Sequence, residues 1–158
     1  MNSLALLAVA FVLHAPSLPT EAEKATEKLQ GEWKLVAMQE KGEEIPADEV
    51  KKMNILFTFE GKKLTVRNDD GKLDYYSFTI DPTKSPAHID LKDLSEHAPP
   101  GVCHAICLLA DKELKLCLGT RFNPDEADER PTEFATIKGS EGRPPKGKYL
   151  FVLQKPKK

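Results

Sequence analysis

Apolar and polar residues alternate in steps of two along most of this chain. Residues 33–39 set Trp33, Leu35 and Ala37 against Lys34, Val36 and Met38. Residues 54–60 place Ile55, Phe57 and Phe59 on one side, and residues 63–68 place Leu64 and Val66 there against Lys63, Thr65 and Arg67. A period of two marks a half-buried strand, because successive side chains leave a pleated backbone on opposite faces. Further strands are predicted at 73–80, 87–92, 103–110, 113–119, 132–137 and 148–154, separated by glycine and proline signals. Asp69-Asp70-Gly71 contains the Asp-Gly pair that two-residue hairpins prefer, since glycine tolerates positive φ. Helical spacing is confined to residues 21–30, just before Gly31, and to residues 47–53, where Asp48 and Glu49 occupy the first turn.

About nine short strands with turn signals at near-regular spacing predict an all-β sandwich or barrel. The connections are mostly hairpins, which favours an up-and-down meander. Ile55, Phe57, Phe59, Leu64, Val66, Ile89, Leu91, Leu114, Leu116 and Leu118 share one face, and the other face is mainly charged. A closed barrel satisfies both facts: apolar side chains fill the inside, and closure removes adhesive edges. The chain has 158 residues, no internal repeat and no low-complexity tract, so one folded domain is expected.

One stretch departs from this pattern. Residues 4–13 form an apolar run of ten, too short for a spanning helix of about 20 residues but suited to the core of a signal peptide. Small residues allow cleavage after Ser17 or after Ala22. Residues 1–22 are therefore read as a signal peptide, residues 23–158 as the barrel domain, and the destination as the periplasm or the exterior. No later segment is apolar enough to span a membrane.

Charge and motif content narrow the function by exclusion. Lys and Arg number 23, Asp and Glu 25, for a net charge of -2, so no basic excess exists for a nucleic-acid backbone. The P-loop, the dinucleotide glycine motif and the nucleophile elbow are all missing, so no cofactor and no catalytic residue is expected. His88 and Asp90 point the same way on one strand, a spacing that could ligate metal, but they read better as a solvated outer face. Cys103 and Cys107 would lie about 13 Å apart on one strand, too far to bridge. A turn at Asp111-Lys112 opposes Cys107 to Leu116 and Cys117 to Ile106, which puts the two sulfurs on opposite faces; a one-residue bulge would bring them together. Four carboxylates between Asp125 and Glu129 lack the spacing of a calcium loop, and no metal site is expected.

Gly31-Glu32-Trp33 follows the first helical turn and opens the first strand, which resembles the G-x-W placement of lipocalin-like barrels. Leu29-Gln30-Gly31-Glu32-Trp33-Lys34-Leu35-Val36 is similar to the opening of an uncharacterised lipocalin-like domain family abundant in planctomycete bacteria. Asp81-Pro82-Thr83-Lys84 with Pro86, Ile89-Asp90-Leu91, Leu114-Lys115-Leu116-Cys117 and Arg130-Pro131-Thr132-Glu133-Phe134-Ala135-Thr136 resemble its later signatures. The resemblance runs from Leu29 to Lys155 and implies an up-and-down antiparallel lipocalin-like barrel of about eight strands with one short helix. It further implies that Gly31 and Trp33 close one end of the barrel, with a basic side chain, here Lys155, over the indole. Two departures stand out: the stretch from Cys103 to Cys107, and longer, more charged loops at 122–129 and 139–147. The resemblance carries no established activity or substrate.

A barrel of this size has an interior that side chains fill or that holds one small ligand. Phe57, Phe59, Tyr75 (or its neighbour Tyr76) and Phe151 are the candidate lining of such a cavity. The leading expectation is a non-catalytic barrel that binds a small apolar or amphipathic molecule. The alternative is an interaction or structural module of the cell envelope with a filled core.

Overall fold

A computed structural model describes residues 18–98, 101–119, 129–136 and 147–156. The expected leader up to residue 17 and most of the loops at 122–129 and 139–147 lie outside the described residues.

The chain is an up-and-down antiparallel barrel. Its strands are β1 (Gly31–Glu40), β2 (Glu43–Glu44), β3 (Leu56–Glu60), β4 (Lys63–Arg67), β5 (Leu73–Asp81), β6 (Ala87–Asp93), β7 (Cys103–Ala110), β8 (Glu113–Leu118) and β9 (Tyr149–Gln154). Each strand from β3 to β9 pairs with the next, and β1 pairs with both β3 and β9, which closes a ring of eight. The two-residue β2 only folds back on the end of β1. Among the described residues there are two helices rather than one: α1 (Glu21–Leu29) and α2 (Ala47–Met53).

Two features of β1 make closure possible. Its first half pairs with β3, from Gly31 opposite Phe59 to Lys34 opposite Leu56. Its pairing with β9 runs from Lys34 opposite Gln154 to Glu40 opposite Tyr149, with a bulge at Val36. The extra residue bends the strand and switches its face parity. Leu35 and Met38 therefore both join the interior cluster, although they are three apart. Just before β3 begins, α2 packs against β1 and contributes Val50 to that same cluster.

One end of the barrel is shut by α1. Thr20 caps the helix, its hydroxyl accepting from the Glu23 amide while the Glu23 carboxylate accepts from the Thr20 amide at 2.7 Å. Such reciprocal capping satisfies two backbone donors that the first helical turn leaves without partners. At the far end of the helix, Leu29 is fully buried, and its carbonyl accepts a 2.7 Å hydrogen bond from the Trp33 indole. Gln30 clamps the β3–β4 turn by donating to the Gly61 carbonyl and accepting from the Gly61 amide. Trp33 itself is 0% exposed, and the Lys155 ammonium lies 4.8 Å from its ring centroid. Phe59 and Phe78 meet edge to face, centroids 5.3 Å apart. With Leu35, Leu64, Ile89, Leu114 and Leu153 they form a continuous buried core.

The strand expected at 132–137 does not form over its described residues, 132–136. Residues 131–136 lack ladder pairing, with bends at 132–134. The ring explains this, because β8 pairs directly with β9 and leaves no edge for another strand. The segment instead crosses the outside of the barrel as a strap. Phe134 packs on Ile106, Cys117 and Leu150, an outward-facing apolar row. The Thr136 hydroxyl accepts from the Gly42 amide at 2.9 Å. Gly147, at φ +73°, lets the returning chain pass close beneath: a Cβ there would stand 2.5 Å from the Ala135 carbonyl oxygen.

Replacing Trp33 by alanine is expected to cost about 3–5 kcal/mol in urea unfolding, because it empties a large buried volume and orphans the Leu29 carbonyl. Lys155→Met is expected to cost about 0.5–2 kcal/mol, the range for a cation over an indole. Equal losses for the two variants would show that the indole is not the anchor.

Candidate functional site

The end of the barrel opposite α1 holds a cavity of about 180 Å³. Its walls are Phe57, Leu64, Val66, Leu91, Leu116, Leu118 and Phe151, with Asn68, Asp74, Tyr76, Cys103 and Tyr149 adding polar atoms. The strand register accounts for this set. Directly opposed residues point to the same face, and Val66 opposes Asp74, Leu91 opposes Cys103, and Leu118 opposes Tyr149. Phe151 packs between Phe57, at 5.5 Å, and Tyr149, whose ring stacks on it at 5.7 Å. The Asn68 amide donates to Asp74 at 2.7 Å, fixing that carboxylate beside the cavity.

The predicted lining residues divide between three places. Phe57 and Phe151 line the cavity. Phe59 belongs to the filled half, buried against Phe78. Tyr75 stands on the outer face with the Lys63 ammonium 4.5 Å above its ring, and Tyr76 takes the inner position. The turn is responsible for this correction. Asn68 pairs with Lys72 around a three-residue loop containing Gly71 at φ +80°, so Leu64 opposes Tyr76 and Val66 opposes Asp74. A two-residue Asp70-Gly71 turn would slip the register by one and turn Tyr75 inward.

Burial is the main influence on the acids inside the barrel. It pushes the Tyr76 phenol up to about 12, with the Asp74, Asp93 and Cys103 charges adding to the effect. Tyr149 is raised as well, by burial first and then by Glu40. Cys107, inside the barrel, is pushed up to about 12 by burial alone, and Cys117, under the strap, to about 11. Cys107 opposes Leu116 and Cys117 opposes Ile106, so the two sulfurs face opposite ways and no disulfide joins them.

A second cluster lies on the outer face, where solvent was expected around Asp90. Asp90 opposes His104 across the β6–β7 ladder, and its Oδ1 lies 3.0 Å from His104 Nδ1. Arg130 reaches in from the strap and donates to the same oxygen at 2.6 Å, and to the Ala105 carbonyl at 2.6 Å. Partial burial opposes ionisation of Asp90, but the hydrogen bonds from His104 and Arg130 outweigh it and hold the carboxyl below its ordinary value. His88 takes no part in this contact; burial, Arg130 and Lys84 hold its imidazole below the ordinary value. The cluster ties the strap to the sheet. Among the described residues, no group of three His, Cys, Asp or Glu side chains is placed to hold a metal ion. No helix among them is long and apolar enough to cross a membrane.

The chain matches no family model, and no curated protein or solved structure matches it significantly.

The raised acids generate a pH dependence. Below pH 9 Tyr76, Cys107 and Cys117 stay protonated in folded and unfolded chains alike, and stability is intact. As pH rises, the unfolded chain loses the cysteine protons from about 9.0 and the Tyr76 proton from about 10.0, while the folded chain keeps them up to about 11 and 12. Urea midpoints are therefore expected to fall between pH 9 and 12. Tyr76→Phe should flatten the part of the fall above pH 10, and identical curves for wild type and variant would refute the assignment.

Proposed function

We propose that the chain is an exported lipocalin-like barrel, related to the domain family abundant in planctomycetes, that binds one small apolar or amphipathic molecule without catalysis. The observation that carries this reading is the cavity at the open end, apolar in its walls and polar at its rim. Its volume of about 180 Å³ slightly exceeds the roughly 150 Å³ of an apolar cavity known to take benzene. A ligand here is a single ring or a short chain, well below the usual 300–1,000 Å³ of drug-sized sites. The rival reading, an envelope module with a filled core, draws on the half of the interior packed by Trp33, Phe59 and Phe78.

Cys103 allows the two readings to be separated, since its thiol lines the cavity whereas Cys107 and Cys117 are buried. Toluene is expected to bind one to one by NMR titration and to slow alkylation of Cys103 in proportion to occupancy. Leu118→Trp, which fills the space from a half-buried position, should abolish both effects while leaving the far-ultraviolet spectrum unchanged. Absence of saturable binding by the wild type would favour the filled-core module.

Export supplies a second test. Cleavage after Ser17 leaves the Thr20–Glu23 capping box whole, whereas cleavage after Ala22 removes the cap and the first two helical residues. Losing such a cap costs about 1 kcal/mol. The mature protein recovered from the exporting cell is therefore expected to begin at Leu18. A mass corresponding to an intact Met1 would overturn the export reading.

A further inference from the structure

Three carboxylates gather at the cavity rim. Asp74 lines the cavity directly. Asp93 directly opposes Tyr76, and Glu40 directly opposes Tyr149, so both occupy inward-facing register positions at the same end. Glu40 is shared with Lys41, whose exposed ammonium is 3.6 Å away. Among the described residues lining the cavity, none is a lysine or an arginine. The phenols report the resulting field: after burial, Asp74 and Asp93 raise Tyr76, and Glu40 raises Tyr149. The Tyr149 ring stacks on Phe151 and already has the Lys148 ammonium 5.2 Å from its centroid, so the carboxylates are the groups that single out a cation here.

We infer that the cavity selects a small amphipathic amine, its apolar end between Phe57 and Leu116 and its ammonium at the rim beside Asp74, Asp93 and Glu40. This rests on the binding reading above and adds the charge of the ligand to it. A carboxylate-headed ligand of the same size would bring its charge into a field of like sign and lose its hydration for no partner. A neutral alcohol can hydrogen-bond to the rim but gains nothing from the field. The amine gains Coulomb attraction from up to three carboxylates together with contact to the apolar walls.

The test uses the full-length chain and three probes that share a ring: benzylamine, benzyl alcohol and benzoate. Each is titrated by calorimetry and by protection of Cys103 from alkylation, at pH 7.5 and low ionic strength. Benzylamine is expected to bind about tenfold more tightly than benzyl alcohol, with benzoate weakest. Raising the salt should shrink the amine preference and leave the alcohol unchanged. Asp74→Asn should reduce the amine preference severalfold without weakening the alcohol. Asp93→Asn, read separately, serves the same purpose if loss of the Asn68–Asp74 bond unfolds the first variant. Benzyl alcohol or benzoate binding as tightly as benzylamine would overturn the inference and leave the cavity reading standing. Failure of all three probes to bind would overturn the cavity reading, and the inference with it.

Discussion

The architecture depends on β1 being paired on both sides. A sheet of eight strands with an open edge would expose unpaired amides and carbonyls along that edge. Here β3 takes one side of β1 and β9 the other, and the bulge at Val36 lets a single strand serve both. The closing strand also holds Trp33, placing the largest buried side chain at the seam where the ring joins. The Leu29 carbonyl below and Lys155 beside the indole then tie α1 and the end of β9 to that seam. Closure, capping and core packing therefore meet at one residue.

Closure also decides what happens outside. Once β8 pairs with β9, the segment that returns between them has no ladder to join, whatever its strand propensity. It lies across the sheet and covers Ile106, Cys117 and Leu150, three apolar side chains that an alternating strand would otherwise expose. Phe134 supplies the apolar contact, and Arg130 anchors one end with hydrogen bonds to Asp90 and the Ala105 carbonyl. The outer face is thus not uniformly polar. Ile106, Cys117 and Leu150 find their partner in the strap, whereas Leu73 and Leu108 stay exposed.

Periodicity revealed most of this fold, and its failures share one cause. Period-two runs located every barrel strand, because each is half buried and its alternation is visible locally. The hairpin at Asp111-Lys112 set the β7–β8 register correctly, so the opposite faces of Cys107 and Cys117 could be read before any coordinates. The β4–β5 turn left Tyr75 and Tyr76 as alternatives, because Asp70-Gly71 suits a two-residue turn equally well. A single residue of loop length exchanged Tyr75 for Tyr76 inside the barrel. The strap was missed because residues 132–137 have a strand's composition, and only the closed ring denies them a partner. Asp90, His104 and Arg130 were separately visible, but their meeting depends on the strap's path, which no local pattern encodes.

The interior divides into two halves with different physical tasks. Near α1 the space is filled by Trp33, Phe59, Phe78 and leucines, and the core cluster is buried almost without exposure. Toward the other end the side chains shorten or turn polar: Cys103, Asp74 and Asn68 stand where larger apolar groups would complete the packing. A chain optimised only for stability would fill that space, since each buried methylene contributes about 0.8 kcal/mol. The barrel tolerates the void because its anchor, Trp33 beneath α1, lies at the other end, where it loses nothing by it. The same separation lets the rim carry several carboxylates. Their mutual repulsion falls on the end of the barrel away from that anchor.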